Sequence, residues 1–168
     1  MAFRPLRQVS YNQIKTAVIG NSQTITIGDA VVPGATGHAK AAITAASVST
    51  RILGVVIAIV KQDGTVLELS SKTVASDNET NAKISVQFIP SSVDMEYEAD
   101  MSAAIGTTTD SDGVGVSFNM GATAALLDET SVALASATTK QFVSYGQSDV
   151  IGAANTKIVG HWAKTLSL

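Results

Sequence analysis

Four acidic residues alternate along one short segment and are the best candidates for chemistry: Asp94, Glu96, Glu98 and Asp100. On a β-strand they project from one face, with neighbouring carboxylates about 6.5 to 7 Å apart. Glycoside hydrolases use paired carboxylates at such separations, and a row of them can bind calcium. Four like charges on one strand also repel each other, which favours contact with a basic partner. The plain interpretation is a solvated strand face, and a catalytic pair is a further alternative. The hypothesis that we carry forward for all four residues is contact with a partner.

The other motifs with chemical potential are weak. Asp110-Ser111-Asp112-Gly113 is similar to the start of a calcium loop, but Asn119 stands where the EF-hand pattern needs its closing glutamate. We interpret it as a turn. His38 and His161 are far apart and the chain has no cysteine, so the spacing indicates neither a metal site nor a catalytic triad. We predict no enzymatic activity, no cofactor, no metal and no small-molecule substrate.

The composition is typical of a structural or binding β-protein. Ala, Val, Ser, Thr and Gly supply 91 of the 168 residues. The β-branched types suit strands, and Gly and Ser suit turns. A net charge of −3 argues against a nucleic-acid partner. The longest apolar run, residues 52–60, is far shorter than the roughly 20 residues of a membrane-spanning helix, and no signal peptide is recognisable. We therefore predict no membrane partner.

Strand patterns separated by turns predict an all-β fold, with small barrel- or sandwich-like modules and an extended N-terminal arm. Residues 52–60 predict a buried strand, and Asp63-Gly64 predicts a hairpin to residues 65–69. Trp162 could form part of a sugar-binding platform, but a single tryptophan favours packing in a core or interface.

One strand prediction concerns the segment that carries Asp94, Glu96, Glu98 and Asp100, which we call the acidic row. Met95, Tyr97, Ala99 and Met101 alternate with the four acidic residues and predict a buried apolar face. A short helix that begins near Ser91 is the weaker alternative, because the period-two alternation runs for eight residues.

A polar stretch at residues 70–83 predicts an exposed loop or a boundary between modules. The N-terminal arm is placed at residues 1–16, the first β-module at 17–75 and the second at 84–168. One continuous domain is the alternative. Asn78-Glu79-Thr80 matches a glycosylation acceptor, which we discount because no secretion signal accompanies it.

The first sixteen residues differ from the rest, because they carry Arg4, Arg7 and Lys15 but no acidic residue. The plain interpretation is a frayed terminus. The sharper hypothesis is an arm that becomes ordered on a neighbouring subunit or shell. We assign the contacts of that arm to five residues: Phe3, Arg4, Leu6, Arg7 and Tyr11.

Several segments together resemble the head decoration, or cement, proteins of tailed bacteriophages. In the second half these are residues 86–90, 95–100, 113–118 and 141–143. In the first half, Ile27-Gly28-Asp29-Ala30-Val31-Val32 is followed by Ile52-Leu53-Gly54-Val55-Val56. The resemblance covers most of residues 24–162. It implies small β-domains, often trimeric, on the outer face of a capsid, with no catalysis and no cofactor.

These observations predict a structural virion protein that is made in the host cytoplasm and binds the major capsid protein. It would stabilise the outer capsid surface by bridging capsid subunits, as a homotrimer, with avidity from symmetric copies. The alternative is a β-sandwich module on a virion or cell surface that attaches to glycans. Clustered exposed aromatic residues would favour that alternative, and an aromatic content of 5% argues against it.

Overall fold

In a computed structural model, the chain folds into two curved β-sheets and a small two-stranded ribbon. The structure describes residues 3–6, 14–34, 39–41, 52–91, 95–102, 115–121, 123, 126–134, 141–147 and 157–163. Within these residues almost all regular structure is strand. The predicted all-β fold is therefore confirmed.

The described elements are numbered in chain order. Those up to residue 81 are β1 (Arg4–Pro5), β2 (Lys15–Val18), β3 (Thr24–Thr26), β4 (Ala30–Pro33), β5 (Ala39–Ala41), β6 (Gly54–Lys61), β7 (Val66–Leu67), β8 (Ser71–Thr73) and the helical turn α1 (Asn78–Asn81). Those that follow are β9 (Ile84–Pro90), β10 (Tyr97–Met101), β11 (Val116–Met120), β12 (Leu126–Leu134), β13 (Phe142–Gln147) and β14 (Lys157–Trp162).

Five strands form a closed barrel in the order β10-β12-β11-β13-β14, because β14 also pairs with β10. The β10–β12 pair is parallel, and the other barrel pairs are antiparallel. The β13–β14 pair depends on Gly160, where a Cβ atom would overlap the carbonyl oxygen of Val143 and lie 2.6 Å from Phe142 Cε1. Glycine is therefore required for the close approach of these two strands.

The other large sheet has the order β2-β9-β6-β4-β5, with β7 paired to β6. The predicted hairpin is confirmed, since Ile59 and Val60 of β6 pair with Leu67 and Val66 of β7. At its turn Gly64 has φ 85°, in the left-handed region that favours glycine.

The two large sheets share one apolar core. Ala30, Val32 and Val55 of the open sheet belong to the same buried cluster as Phe118 and Leu127 of the barrel. A second cluster fills the space between the open sheet and the ribbon, and includes Ile25, Val56 and Val86. In addition β9, which begins the predicted second module, pairs with β2 and β6. The open sheet therefore includes strands from both sides of the proposed boundary at residues 76–83.

Residues 70–83 are not simply an exposed loop, and this expectation is corrected at Asn78. The Asn78 side chain is buried; its Nδ2 donates to the carbonyl oxygens of Ile19 at 2.7 Å and Ile84 at 2.9 Å. Its Oδ1 accepts a hydrogen bond from the Ile84 amide at 2.8 Å. This amide pairs backbone groups at the ends of β2 and β9, which must be satisfied once they are buried.

Candidate functional site

The best-defined site on the barrel is the edge of β10 that pairs with β1 and β12, and we call this edge the seam. On that edge β12 pairs with Asp100 and Met101, while β1 pairs with Tyr97 and Glu98. The opposite edge of β10 is occupied by β14. The N-terminal segment, residues 3–6, therefore fills the part of the seam that β12 leaves uncovered.

Phe3 anchors the N-terminal segment in the shared core. Its side chain is 3% exposed, and its ring centroid lies 4.6 Å from that of Trp162 and 6.2 Å from that of Phe142. The Phe3 amide donates to the carbonyl oxygen of Gly28 at 3.0 Å, which ties the segment to the turn before β4. Aromatic contacts of this kind contribute about 0.5 to 1.5 kcal/mol beyond the area they bury.

Arg4 and Glu98 bring together two groups of residues that the sequence assigned separately to partner contacts. Arg4 Nη2 lies 2.8 Å from Glu98 Oε1, with side-chain exposures of 54% and 12%. The backbone supports the pair, because the Leu6 amide donates to the carbonyl oxygen of Glu96 at 3.0 Å. The basic arm and the acidic row thus meet within one chain.

The three described members of the acidic row are less accessible than a solvated strand face would make them, so the plain interpretation needs correction. Glu96 and Glu98 are half-buried and Asp100 is buried. The physical reason is the covering of β10 on both edges, where Glu98 faces Arg4 of β1 and Asp100 is the register partner of Lys157 of β14. The opposite face of β10 is as predicted: Tyr97, Ala99 and Met101 are fully buried, and the helix alternative is wrong.

The predicted contact residues therefore have different environments. Phe3 is a core residue, Leu6 is exposed, and Arg4 is paired with Glu98. Three others lie outside the described residues: Arg7, Tyr11 and Asp94. The same holds for His38, Asp110 and Asp112. Binding of any of these residues to a partner stays a prediction.

Trp162 is fully buried beside Tyr97, which confirms the core alternative over a sugar platform. Their ring centroids lie 6.2 Å apart, and Tyr97 Oη and Trp162 Nε1 are each buried without a hydrogen-bond partner among the described residues. Burial raises the pKa of the Tyr97 hydroxyl above its usual value. Burying a polar group without a partner costs about 1 to 3 kcal/mol.

Among the described residues, the barrel brings an exposed tyrosine against a half-buried histidine. Tyr145 is 46% exposed, and its ring centroid lies 5.1 Å from that of His161 at an interplanar angle of 32°. Burial lowers the pKa of His161 below its usual value, which favours the neutral imidazole. The pair can therefore present an uncharged aromatic surface at neutral pH.

Asp29 is a buried acid that the sequence patterns did not single out. Its Oδ2 accepts a hydrogen bond from the Thr26 amide at 2.8 Å within a tight turn. Burial raises the pKa of Asp29 to about 6, and the Thr26 hydrogen bond opposes only part of this rise. In the sequence, Gly28-Asp29 indicates a turn after β3. Nothing in the local pattern predicts that the Asp29 side chain is buried.

The ribbon formed by β3 and β8 presents a face of uncharged hydroxyl side chains. Ile25 of β3 is fully buried, so its neighbours Thr24 and Thr26 point to the other side. On that side Thr24 Oγ1 lies 2.8 Å from Thr73 Oγ1, and Thr26 Oγ1 donates to Ser71 Oγ at 3.1 Å.

Two exposed apolar residues stand at one end of the ribbon. Ile27 is 41% and Leu69 is 46% exposed, and the Ile27 amide donates to the carbonyl oxygen of Ser70 at 2.8 Å. We call the whole surface the ribbon face and define it by six residues: Thr24, Thr26, Ile27, Leu69, Ser71 and Thr73. It combines hydroxyl groups with two apolar side chains and contains no charged residue.

Across the part of the chain that the structure describes, no group of three or more His, Cys, Asp and Glu residues could hold a metal ion. Within the same residues, no helix has the length and apolar character needed to cross a membrane. No protein-family model, curated protein or solved structure matches the chain.

Proposed function

We propose that this chain is a structural virion protein that decorates a tailed-phage capsid, bridges major capsid subunits on the outer surface and acts as a homotrimer. The proposal begins from the resemblance of residues 24–162 to head decoration proteins. It requires a rigid scaffold and a surface suited to lying against another protein. Catalysis and a bound cofactor have no part in it.

The observation that carries the proposal is the ribbon face. Short hydroxyl side chains and two exposed apolar residues, Ile27 and Leu69, are held on paired strands. Protein interfaces are depleted of charge at their centres and gain stability from buried apolar side chains. The ribbon backs onto the apolar cluster that contains Ile25 and Val56, so its position is fixed before any partner binds. A preformed surface of this kind loses little conformational entropy on association.

A symmetric trimer can bind a capsid tightly even when each ribbon face binds it weakly. The ribbon face alone is modest in size, and each copy would bind a capsid weakly. Three copies joined as a trimer convert the second and third contacts into intramolecular events, which raises the overall affinity without any new contact. A trimer at a symmetric position of the lattice therefore fits the limited apolar area of one face.

The test compares substitutions on and off the ribbon face in binding to heads of the phage that encodes the chain. Ile27→Lys and Leu69→Lys place a charge in the proposed contact and should each weaken co-sedimentation with heads at least tenfold, as for loss of an interface anchor. Val66→Lys is the matched control, because Val66 is 53% exposed but lies on β7 of the open sheet. Equal binding by all three variants would reject the ribbon face as the capsid contact.

A second candidate function, glycan attachment, is favoured by one observation. Tyr145 is exposed and stacks near His161, and an aromatic ring can pack against the apolar face of a sugar. If this function holds, Tyr145→Ala should abolish binding to a glycan array while leaving the melting temperature close to that of the wild type. An array on which the wild type binds no glycan would remove this candidate.

A further inference from the structure

We infer that the seam on β10 is a receptor for the N-terminal segment of a second copy of this chain, so that residues 3–6 can be exchanged between copies. In the structure the seam holds the segment of the same chain. A second copy presents the same residues, and the contacts are the same whichever chain supplies them. The inference holds whether or not the chain binds a capsid.

All described contacts of the segment are remote in sequence. Phe3 packs on Phe142 and Trp162, Arg4 pairs with Glu98, and the Leu6 amide bonds to the backbone of residue 96. The segment is therefore held by a receptor surface rather than by its neighbours along the chain. Addition of a short strand to a sheet edge, with side chains in pockets, is a general mode of peptide recognition.

The length of the connection sets the reach of an exchanged segment. Seven residues, 7–13, separate Leu6 from Ile14, and the fully extended chain between those two residues spans at most about 28 Å. Exchange of an identical element between subunits is a low-cost route to an oligomer, because the closed and the exchanged forms satisfy the same contacts. The choice between them depends on concentration and on subunit geometry.

Charge favours the approach of a second copy. The first sixteen residues carry three basic and no acidic side chains, whereas the other 152 carry eight basic and fourteen acidic ones, a formal charge of −6. The receptor edge itself contains Glu96 and Glu98. Opposite charges on the segment and the receptor raise the rate of encounter between chains.

The two states differ in a simple way. In dilute solution the segment binds its own seam, because the short connection gives it a high effective concentration there. In a concentrated or symmetric assembly the segment of each copy binds the seam of the next, and a head-to-tail exchange closes into a ring when the rotation allows it. Phe3 is buried in both states, so its position in the core is compatible with a role between subunits.

The test uses single cysteines in the full chain, which has none of its own. Arg4 and Glu98 are direct cross-strand partners, and such partners lie about 4.5 to 5.5 Å apart between Cα atoms, within reach of a disulfide. Chains with Arg4→Cys and chains with Glu98→Cys, distinguished by affinity tags, are refolded together at high concentration and oxidised with glutathione disulfide, which is reduced to two glutathione molecules for each protein disulfide formed. A disulfide between the two kinds of chain indicates exchange when its yield exceeds the yield from random collision.

We expect this mixed disulfide in a yield about tenfold above that of a control mixture of Arg4→Cys and Leu69→Cys chains, because only the seam holds the two thiols together. A yield equal to the control overturns the inference. The double variant Arg4→Cys/Glu98→Cys checks the register, since it should give an intrachain bond in dilute solution and interchain bonds at high concentration. An intrachain bond at every concentration, or none at all, also overturns the inference.

Discussion

The ring of Phe3 lies 4.6 Å from the ring of Trp162, so the third residue of the chain completes a core built from its last described strand. Phe142 and Tyr97 surround the same indole, at ring-centroid distances of 5.1 and 6.2 Å. The N-terminal segment is therefore part of the folded barrel in this structure. This placement makes stability, as well as assembly, sensitive to residue 3.

Substitution of Phe3 should destabilise the chain strongly. Phe3→Ala removes a buried ring and should lower the free energy of unfolding by about 3 to 5 kcal/mol. Because Trp162 loses its neighbour, its fluorescence should shift to longer wavelength in the folded protein. Leu6→Ala is the control, since Leu6 is 41% exposed, and should cost well under about 1 kcal/mol. Similar urea-unfolding midpoints for both variants would contradict the core placement.

Gly160 should tolerate no side chain. A Cβ atom there meets the backbone of β13 and the Phe142 ring, so Gly160→Ala should cost about 3 kcal/mol or more as the two strands are forced apart. Gly64→Ala provides the comparison, because nothing lies within 4 Å of its Cβ position and only its left-handed φ is strained, at about 1 kcal/mol. Thermal melts that rank Gly64→Ala as the more damaging variant would disprove this account.

Asp29 should make stability decrease as the pH rises from about 4 to about 6. Its pKa is about 6 in the folded chain and near 3.8 when unfolded, so the folded state holds the proton more tightly. Below pH 3.8 both states are protonated and no penalty exists; above pH 6 the full penalty, about 3 kcal/mol, applies.

Asp29→Asn removes this titration. We expect the variant to gain stability relative to the wild type as the pH rises through this window, measured by urea unfolding at each pH. Asp63→Asn is the control, because Asp63 is exposed and the hydrogen bond from Thr65 lowers its pKa. A constant difference between Asp29→Asn and wild type from pH 4 to pH 7 would show that Asp29 is not buried as a perturbed acid.

A chelator should leave the melting temperature unchanged, since the prediction from sequence includes no metal requirement. The measurement is a thermal melt with and without EDTA, followed by addition of calcium. A fall of several degrees that calcium reverses would contradict the prediction. It would direct attention to Asp110 and Asp112 or to the acidic row.

Local patterns predicted the strands well where burial alternates or a turn is distinctive. The Asp63-Gly64 hairpin and the buried side of β10 follow from turn chemistry and period-two spacing. These features depend on neighbours in sequence, which a single sequence displays directly.

Contacts between distant segments were not predictable in the same way. Nothing in the spacing of Phe3 and Arg4 indicates that they meet Trp162 and Glu98, and a parallel β10–β12 pair leaves no local signature. The burial of Asn78 was also not predicted, because a polar stretch is typical of an exposed loop. Only the structure shows that the Asn78 side-chain amide binds backbone groups at the ends of two strands. The sequence therefore indicates candidate contact residues but not that Arg4 and Glu98 bind each other.

Our central proposal is that this chain binds the outside of a phage head, and sedimentation of the labelled wild-type chain with purified heads tests it most directly. We predict saturable binding, with a fixed number of copies per head in multiples of three and heads that better resist heat or chelator once saturated. Failure of the chain to sediment with intact heads at any concentration, while it remains folded by its Trp162 fluorescence, would contradict the claim.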